Sequence, residues 1–296
     1  MNSLDLINKL YKPYKITKKG KCTIINSMDG DFVIKPKSNV KEIYSYLDSR
    51  NFFNHPKLVD ESRSDIDISE YIEDYDYPKE QKLEDMISLV LDMHRKTSYT
   101  KKVTEDKYKE IYETLKNNID YYKYSYNKLI KKIEATRFMS PSNYLFIRNS
   151  SKVLNALKYS ENTLNNWYIN NKEKGEISLS LVHNNLRLEH YLKKDKDYLI
   201  SFDHAKIDSP ILDIYTLYKN EYSNPNINKC IKKYIDNSDI SEEERQLLFA
   251  MLSIPDEFKF NDKELESTIN IKCKINYLYK VEELIRSYSS KDKIEE

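Results

Sequence analysis

Over residues 14–72 the apolar positions come in short bursts separated by turn residues. Tyr14-Lys15-Ile16-Thr17, the turn Lys18-Lys19-Gly20-Lys21, and Cys22-Thr23-Ile24-Ile25-Asn26 predict a β-hairpin. Met28-Asp29-Gly30 predicts a second turn before a third strand, Asp31-Phe32-Val33-Ile34-Lys35. Pro36 stops that strand, because proline has no N–H to give to a ladder. From Asn39 to Arg50, Val40, Ile43, Tyr44 and Leu47 recur at helical spacing and predict a short amphipathic helix. Two more short strands are expected near 57–60 and 66–72.

After Pro78 the period changes to that of helices. Leu83, Met86, Ile87, Val90, Leu91 and His94 mark one helical face, and a long Tyr-rich helix is expected over about 104–136. Ser140-Pro141 restarts a helix that runs to about Leu157, with more helix to Asn170. A strand is expected over 177–182 and another over 198–202, with a polar loop between them. Four helices follow, near 210–222, 226–236, 241–253 and 263–289, the third opened by a capping box, Ser241 with Glu244. The order predicts an α+β protein with a β-rich part over 1–75 and a mainly helical part over 76–296.

Composition narrows the function classes. The chain has 296 residues, 39% of them hydrophobic and 33% charged, which suits a packed core and not a disordered chain. Its 49 basic and 48 acidic residues leave a net charge of +1, which argues against a nucleic-acid binder working through a basic face. Cys22, Cys230 and Cys273 are scattered and odd in number, which predicts reduced thiols and not a disulfide frame or a zinc site. The N-terminal stretch MNSLDLINKLYKPYK has no apolar core and no cleavage site, and apolar runs such as LLFAML are too short to span a bilayer. A cytoplasmic protein without a membrane segment is expected. The 26 tyrosines are expected at core and half-buried helix positions.

Two segments carry a resemblance. LVHNNLRLEHYL at 181–192, followed by LISFDHAKIDSPILDIYTLY at 199–218, resembles the aminoglycoside/choline phosphotransferase branch of the protein-kinase-like fold. Within that branch it looks closest to the spore-coat CotS-type kinases. His183 matches the histidine of that family's catalytic loop, Asn185 falls on its catalytic aspartate, and His190 on the asparagine that helps hold metal. Ser201 falls on the metal-binding aspartate, Phe202 matches the aromatic after it, and Asp203 continues the motif. Pro210 and Asp213 match the later proline and the aspartate that opens a helix and braces the loop. Lys35 in FVIK matches the lysine that contacts ATP phosphates, and Glu42 is the candidate for its helix partner. Glu70, Tyr71 and Ile72 resemble the hinge strand that holds adenine through backbone groups. The resemblance implies a bilobal protein-kinase-like fold, with the catalytic-loop remnant at 183–205.

The residues at the chemical positions then imply what the cleft does. Asn185 is an amide and takes up no proton, so it offers no general base. Magnesium takes hard oxygen ligands, carboxylates above all, whereas Ser201 offers a hydroxyl and His190 an imidazole. Asp203 is a carboxylate on the same strand face as Ser201 if the strand runs that far, which makes it a displaced metal ligand. His183, His190 and His204, near Asp203 and Glu189, form a second and weaker candidate for a metal site. The leading expectation is a catalytically inactive pseudokinase that binds nucleotide or another small ligand, or acts as a protein scaffold in a spore-coat-like assembly. The alternative is a divergent phosphotransferase, using ATP with magnesium or manganese on a hydroxyl of an aminoglycoside-, choline- or sugar-like substrate.

Overall fold

In the computed structural model, which describes residues 12–20, 22–60 and 65–289, the chain forms two compact units. The first comprises residues up to Ser98 together with Ser180–Asp208; the second comprises Tyr99–Leu179 and the residues from Ser209 onward. Residues 1–11, on which the expected lack of a leader rests, and Lys21 of the first turn lie outside the described residues.

The first unit is built on a five-stranded antiparallel sheet in the order β1-β2-β3-β5-β4, with β1 Lys15–Lys19, β2 Cys22–Ser27, β3 Gly30–Pro36, β4 Leu58–Asp60 and β5 Ile66–Glu70. The turn at Gly20 has φ +60°, a conformation that glycine adopts without steric cost. Register follows side-chain alternation. In β2, Ile25 faces the core, as do Phe32 and Ile34 of β3 and Ile66 and Ile68 of β5. Cys22, Ile24, Val33, Lys35 and Ser69 therefore point to the opposite face of the sheet.

Helix α1, Val40–Ser49, follows β3 as its periodicity predicts and buries Val40, Tyr44 and Leu47. It ends in a Schellman motif. Asn51 takes φ +58°, its N–H bonds Asp48 O at 3.0 Å, and the Phe52 N–H bonds Leu47 O at 3.0 Å. Leu47 and Phe52, both fully buried, stand at the two positions whose apolar contact accompanies this cap. Helix α2, Lys79–Thr97, ends at Thr97, whose hydroxyl donates to Met93 O at 2.8 Å and accepts from Leu181 N–H at 3.1 Å. That bond fixes the last residues of β7, Glu176–Val182.

The second unit is helical: α3 Glu105–Glu134, α4 Pro141–Arg148, α5 Ser150–Asn171, α6 Ile211–Glu221, α7 Ile227–Asn237, α8 Glu242–Leu252 and α9 Glu264–Ser289. The capping box expected at Ser241 is present, with Ser241 Oγ accepting from Glu244 N–H at 3.2 Å and Glu244 Oε2 accepting from Ser241 N–H at 2.9 Å. A strand not expected from the sequence, β6 Tyr99–Lys102, pairs antiparallel with residues 176–179. Its exposed KK pair and short length carry little of the alternation that marks a strand. No described helix is long and apolar enough to cross a membrane.

Candidate functional site

In the first unit the sheet face opposite the core lines a cleft of about 580 Å³, within the ~300–1,000 Å³ range of small-molecule sites. Val33 and Lys35 of β3, Ser69 and Glu70 of β5, and Tyr71 and Ile72 beyond it form one wall. The other comes from a hairpin of β8, Tyr191–Lys193, and β9, Asp197–Leu199. His190, Leu192, Ile200 and Ser201 from that region reach the cleft. Asn54 ties the hairpin down, since its Nδ2 donates to Asp197 O at 2.7 Å and its carbonyl accepts from Leu199 N–H at 2.8 Å. Asp74 holds the other end, accepting from Lys193 N–H at 2.9 Å and pairing with Lys82.

The sequence places a strand over 198–202, with Asp203 facing the same way as Ser201. The observed geometry differs. β9 ends at Leu199, Ser201 adopts the left-handed conformation at φ 67° and ψ 47°, and Phe202–His204 form one 3-10 turn. This reversal, and not strand alternation, brings Ser201 and Asp203 together. Both bond the Lys35 ammonium, Ser201 Oγ at 3.0 Å and Asp203 Oδ2 at 2.9 Å. A left-handed non-glycine residue costs about 1–2 kcal/mol, and the short polar serine is held there with its hydroxyl on Lys35.

Glu42 lies exposed in the first turn of α1 and is not among the partners of Lys35. Tyr44, two residues on, is buried, stacks on His55 at 4.1 Å and meets Phe202 edge-on at 5.7 Å. Burial, with Asp203, Asp67 and Glu70 nearby, raises its phenol far above the ordinary value. Phe202 in turn packs on His183 at 4.8 Å. The sequence marks Tyr44 only as a core position, because helical spacing says that it is buried and not what it is buried against.

His183 is fully buried, and one of its ring nitrogens, Nε2, lies 2.7 Å from Ile200 O. His190 Nδ1 lies 2.8 Å from Asn185 O, an arrangement that assigns its proton to Nδ1. Burial holds the His190 imidazole below its ordinary pKa, and Lys35 and Arg187 act the same way more weakly. Asn185 is half-buried, and His204 is exposed. Asp213 belongs to the second unit, buried in the first turn of α6, where Pro210 and not Asp213 occupies the capping position. At the end of β5, Tyr71 N–H bonds Asp31 O at 2.9 Å, and Glu70 Oε1 accepts from Lys57 N–H. The N–H and C=O of Ile72, a cleft-lining residue, make no bond to the described residues.

These donors do not suit a divalent cation. Ser201 and Asp203 already share an ammonium, and His190 Nδ1 is committed to a carbonyl. Among the described residues no group of three or more His, Cys, Asp or Glu side chains is arranged to hold a metal ion. Magnesium would need near-octahedral oxygen ligation with at least one or two carboxylates.

No protein-family model and no curated protein matches the sequence. Solved structures do match, over nearly the whole chain. An aminoglycoside phosphotransferase from Alicyclobacillus acidocaldarius superposes with a TM-score of 0.69 at 10% identity, covering 94% of this chain and 93% of the other. A spectinomycin phosphotransferase bound to AMP gives 0.58 at 13% identity over 94% and 96%. A choline kinase from Streptococcus pneumoniae gives 0.50 at 13% over 92% and 96%. At such identities the likeness is one of fold: a small antiparallel sheet followed by a large helical part, in the protein-kinase-like fold of these phosphotransferases.

Proposed function

We propose that this protein binds a nucleotide in the first-unit cleft and does not transfer its phosphoryl group. The observation that carries the reading is the Lys35–Ser201–Asp203 cluster at one end of the cleft. Its Lys35 ammonium, partly offset by Asp203, is a fixed positive charge for phosphate, and by the family resemblance the neutral amide Asn185 stands where a general base would be. The other end offers the Ile72 N–H and C=O, a donor and an acceptor side by side for the edge of a base, flanked by Glu70 and Tyr71. Phosphoryl transfer rests on positioning and charge neutralisation. Loss of base assistance alone removes roughly 10²–10⁴ in rate, about 3–5 kcal/mol of barrier.

A silent cleft of this kind fits a ligand sensor or a protein scaffold, and the CotS-type resemblance points to a protein assembly as its setting. Single-turnover ATP hydrolysis and transfer to aminoglycoside and choline acceptors test the reading. Wild type is expected to show no turnover above a cleft-blocked control, while Asn185→Asp with Ser201→Asp gains a metal-dependent rate. Wild type turning over faster than the double variant would sink the proposal. It would favour a divergent phosphotransferase in which Asp203 serves as a metal ligand.

A further inference from the structure

We infer that the ligand of this cleft is a nucleoside monophosphate bound with no divalent cation, the Lys35 ammonium standing where a cation's charge would act. The inference rests on the nucleotide-binding reading above and gives it a ligand class.

The argument begins with Lys35. An ammonium has three N–H donors and no acceptor. Two of those of Lys35 are taken by Ser201 Oγ and Asp203 Oδ2, which leaves one for a ligand oxygen. The residues that would otherwise ligate a metal are thus spent orienting a cation that belongs to the chain. A divalent ion placed between Ser201 and Asp203 would have to displace that ammonium and sit beside it, against like-charge repulsion.

The charge of the cleft sets the second limit. Its lining includes Lys19, Lys35 and Lys82 on the basic side and Glu70, Asp74 and Glu189 on the acidic side. Lys82 is committed to Asp74, and Asp203 faces Lys35 from just beyond the lining. Burial keeps His190 neutral, so it adds no positive charge. The described lining alone is balanced, three lysines against three carboxylates, and Asp203 adds one further negative charge beside Lys35. A phosphate monoester brings about −1.5 to −2 at neutral pH, which the remaining N–H of Lys35 and Lys19, an exposed residue of the same lining, can meet. A triphosphate brings roughly twice that charge, which in working sites bound metal ions neutralise. Here nothing in the described lining takes their place.

The third observation is the Ile72 backbone, a donor–acceptor pair unbonded to the described residues on the wall that Glu70 and Tyr71 share. It gives the base a polar edge to read that does not depend on the phosphate count.

The test is titration of the full chain with adenosine, AMP, ADP and ATP, followed by calorimetry and by thermal shift, in EDTA and then in magnesium or manganese. AMP is expected to bind with the same affinity in EDTA and in metal, and ATP about tenfold more weakly in EDTA, the cost of unneutralised charge. Lys35→Met should abolish the advantage of AMP over adenosine while adenosine still binds. Lys35→Arg, which keeps the charge, should retain part of that advantage, and binding of adenosine to either variant shows that the cleft is folded. Binding of AMP that requires metal, or ATP binding more tightly than AMP in EDTA, overturns this inference and leaves the nucleotide reading standing. No binding of any of the four ligands overturns both.

Discussion

A double-mutant cycle on Lys35 and Asp203 measures the contact on which the site depends. Lys35→Met removes two hydrogen bonds, one at 3.0 Å to Ser201 Oγ and one at 2.9 Å to Asp203 Oδ2. Asp203→Asn removes the charge of one partner and keeps its shape. Buried hydrogen bonds to a charged group contribute about 1.5–3 kcal/mol, whereas exposed ion pairs contribute about 0.2–1 kcal/mol. This pair lies between those limits, with 21% and 32% of its side-chain surfaces exposed. A coupling energy of about 1–1.5 kcal/mol follows for Lys35 with Asp203. Urea unfolding of wild type, both single variants and the double variant gives the coupling directly, provided their m values agree. A coupling below about 0.3 kcal/mol, within the additivity expected of independent sites, would refute the reasoning, because the ammonium would then not be held by Asp203.

Phe202→Ala empties a fully buried position between His183 and Tyr44 and should cost about 3–5 kcal/mol in urea unfolding. Asn51→Gly relieves a left-handed residue at the end of α1 and should raise stability by about 0.5–1 kcal/mol, whereas Asn51→Val, β-branched at positive φ, should lower it. Burial lowers the His190 pKa from 6.5, so below that pH the unfolded chain binds a proton that the folded chain refuses. Stability should therefore fall as pH drops through 6.5, level off once the folded ring also protonates, and flatten in His190→Gln, as read from unfolding midpoints across that range.

The fold was legible where chain pattern and local physics agree. Apolar bursts separated by turns at Gly20 and Gly30 gave β1 to β3, helical spacing gave α1, and the Ser241–Glu244 pair gave the start of α8. The site was legible in part. Lys35, Ser201 and Asp203 were named from the sequence, and the structure brings them to one ammonium. The route was misread, because a left-handed serine leaves no mark in a sequence where glycine would have been the usual signal. Glu42 was chosen through the family resemblance as the helix partner of Lys35; it lies exposed in the first turn of α1 and is not among the bonding partners of Lys35. β9 was expected with its bounds shifted to 198–202, whereas β8 stayed hidden because its three residues are too few to show a period.

The first unit is discontinuous in sequence, and this bears on how the protein is made. Its sheet, α1 and α2 are complete by Ser98, but Ser180–Asp208 supply the hairpin, Phe202 and Asp203. A ribosome adding about 5–20 residues per second needs several seconds to some twenty seconds to bridge that gap. During that interval the nascent sheet has no Phe202 against Tyr44, and Lys35 has no Asp203. The cleft is therefore among the last parts of the first unit to form, and a chain truncated before Ser180 leaves the cleft side of the sheet without its second wall.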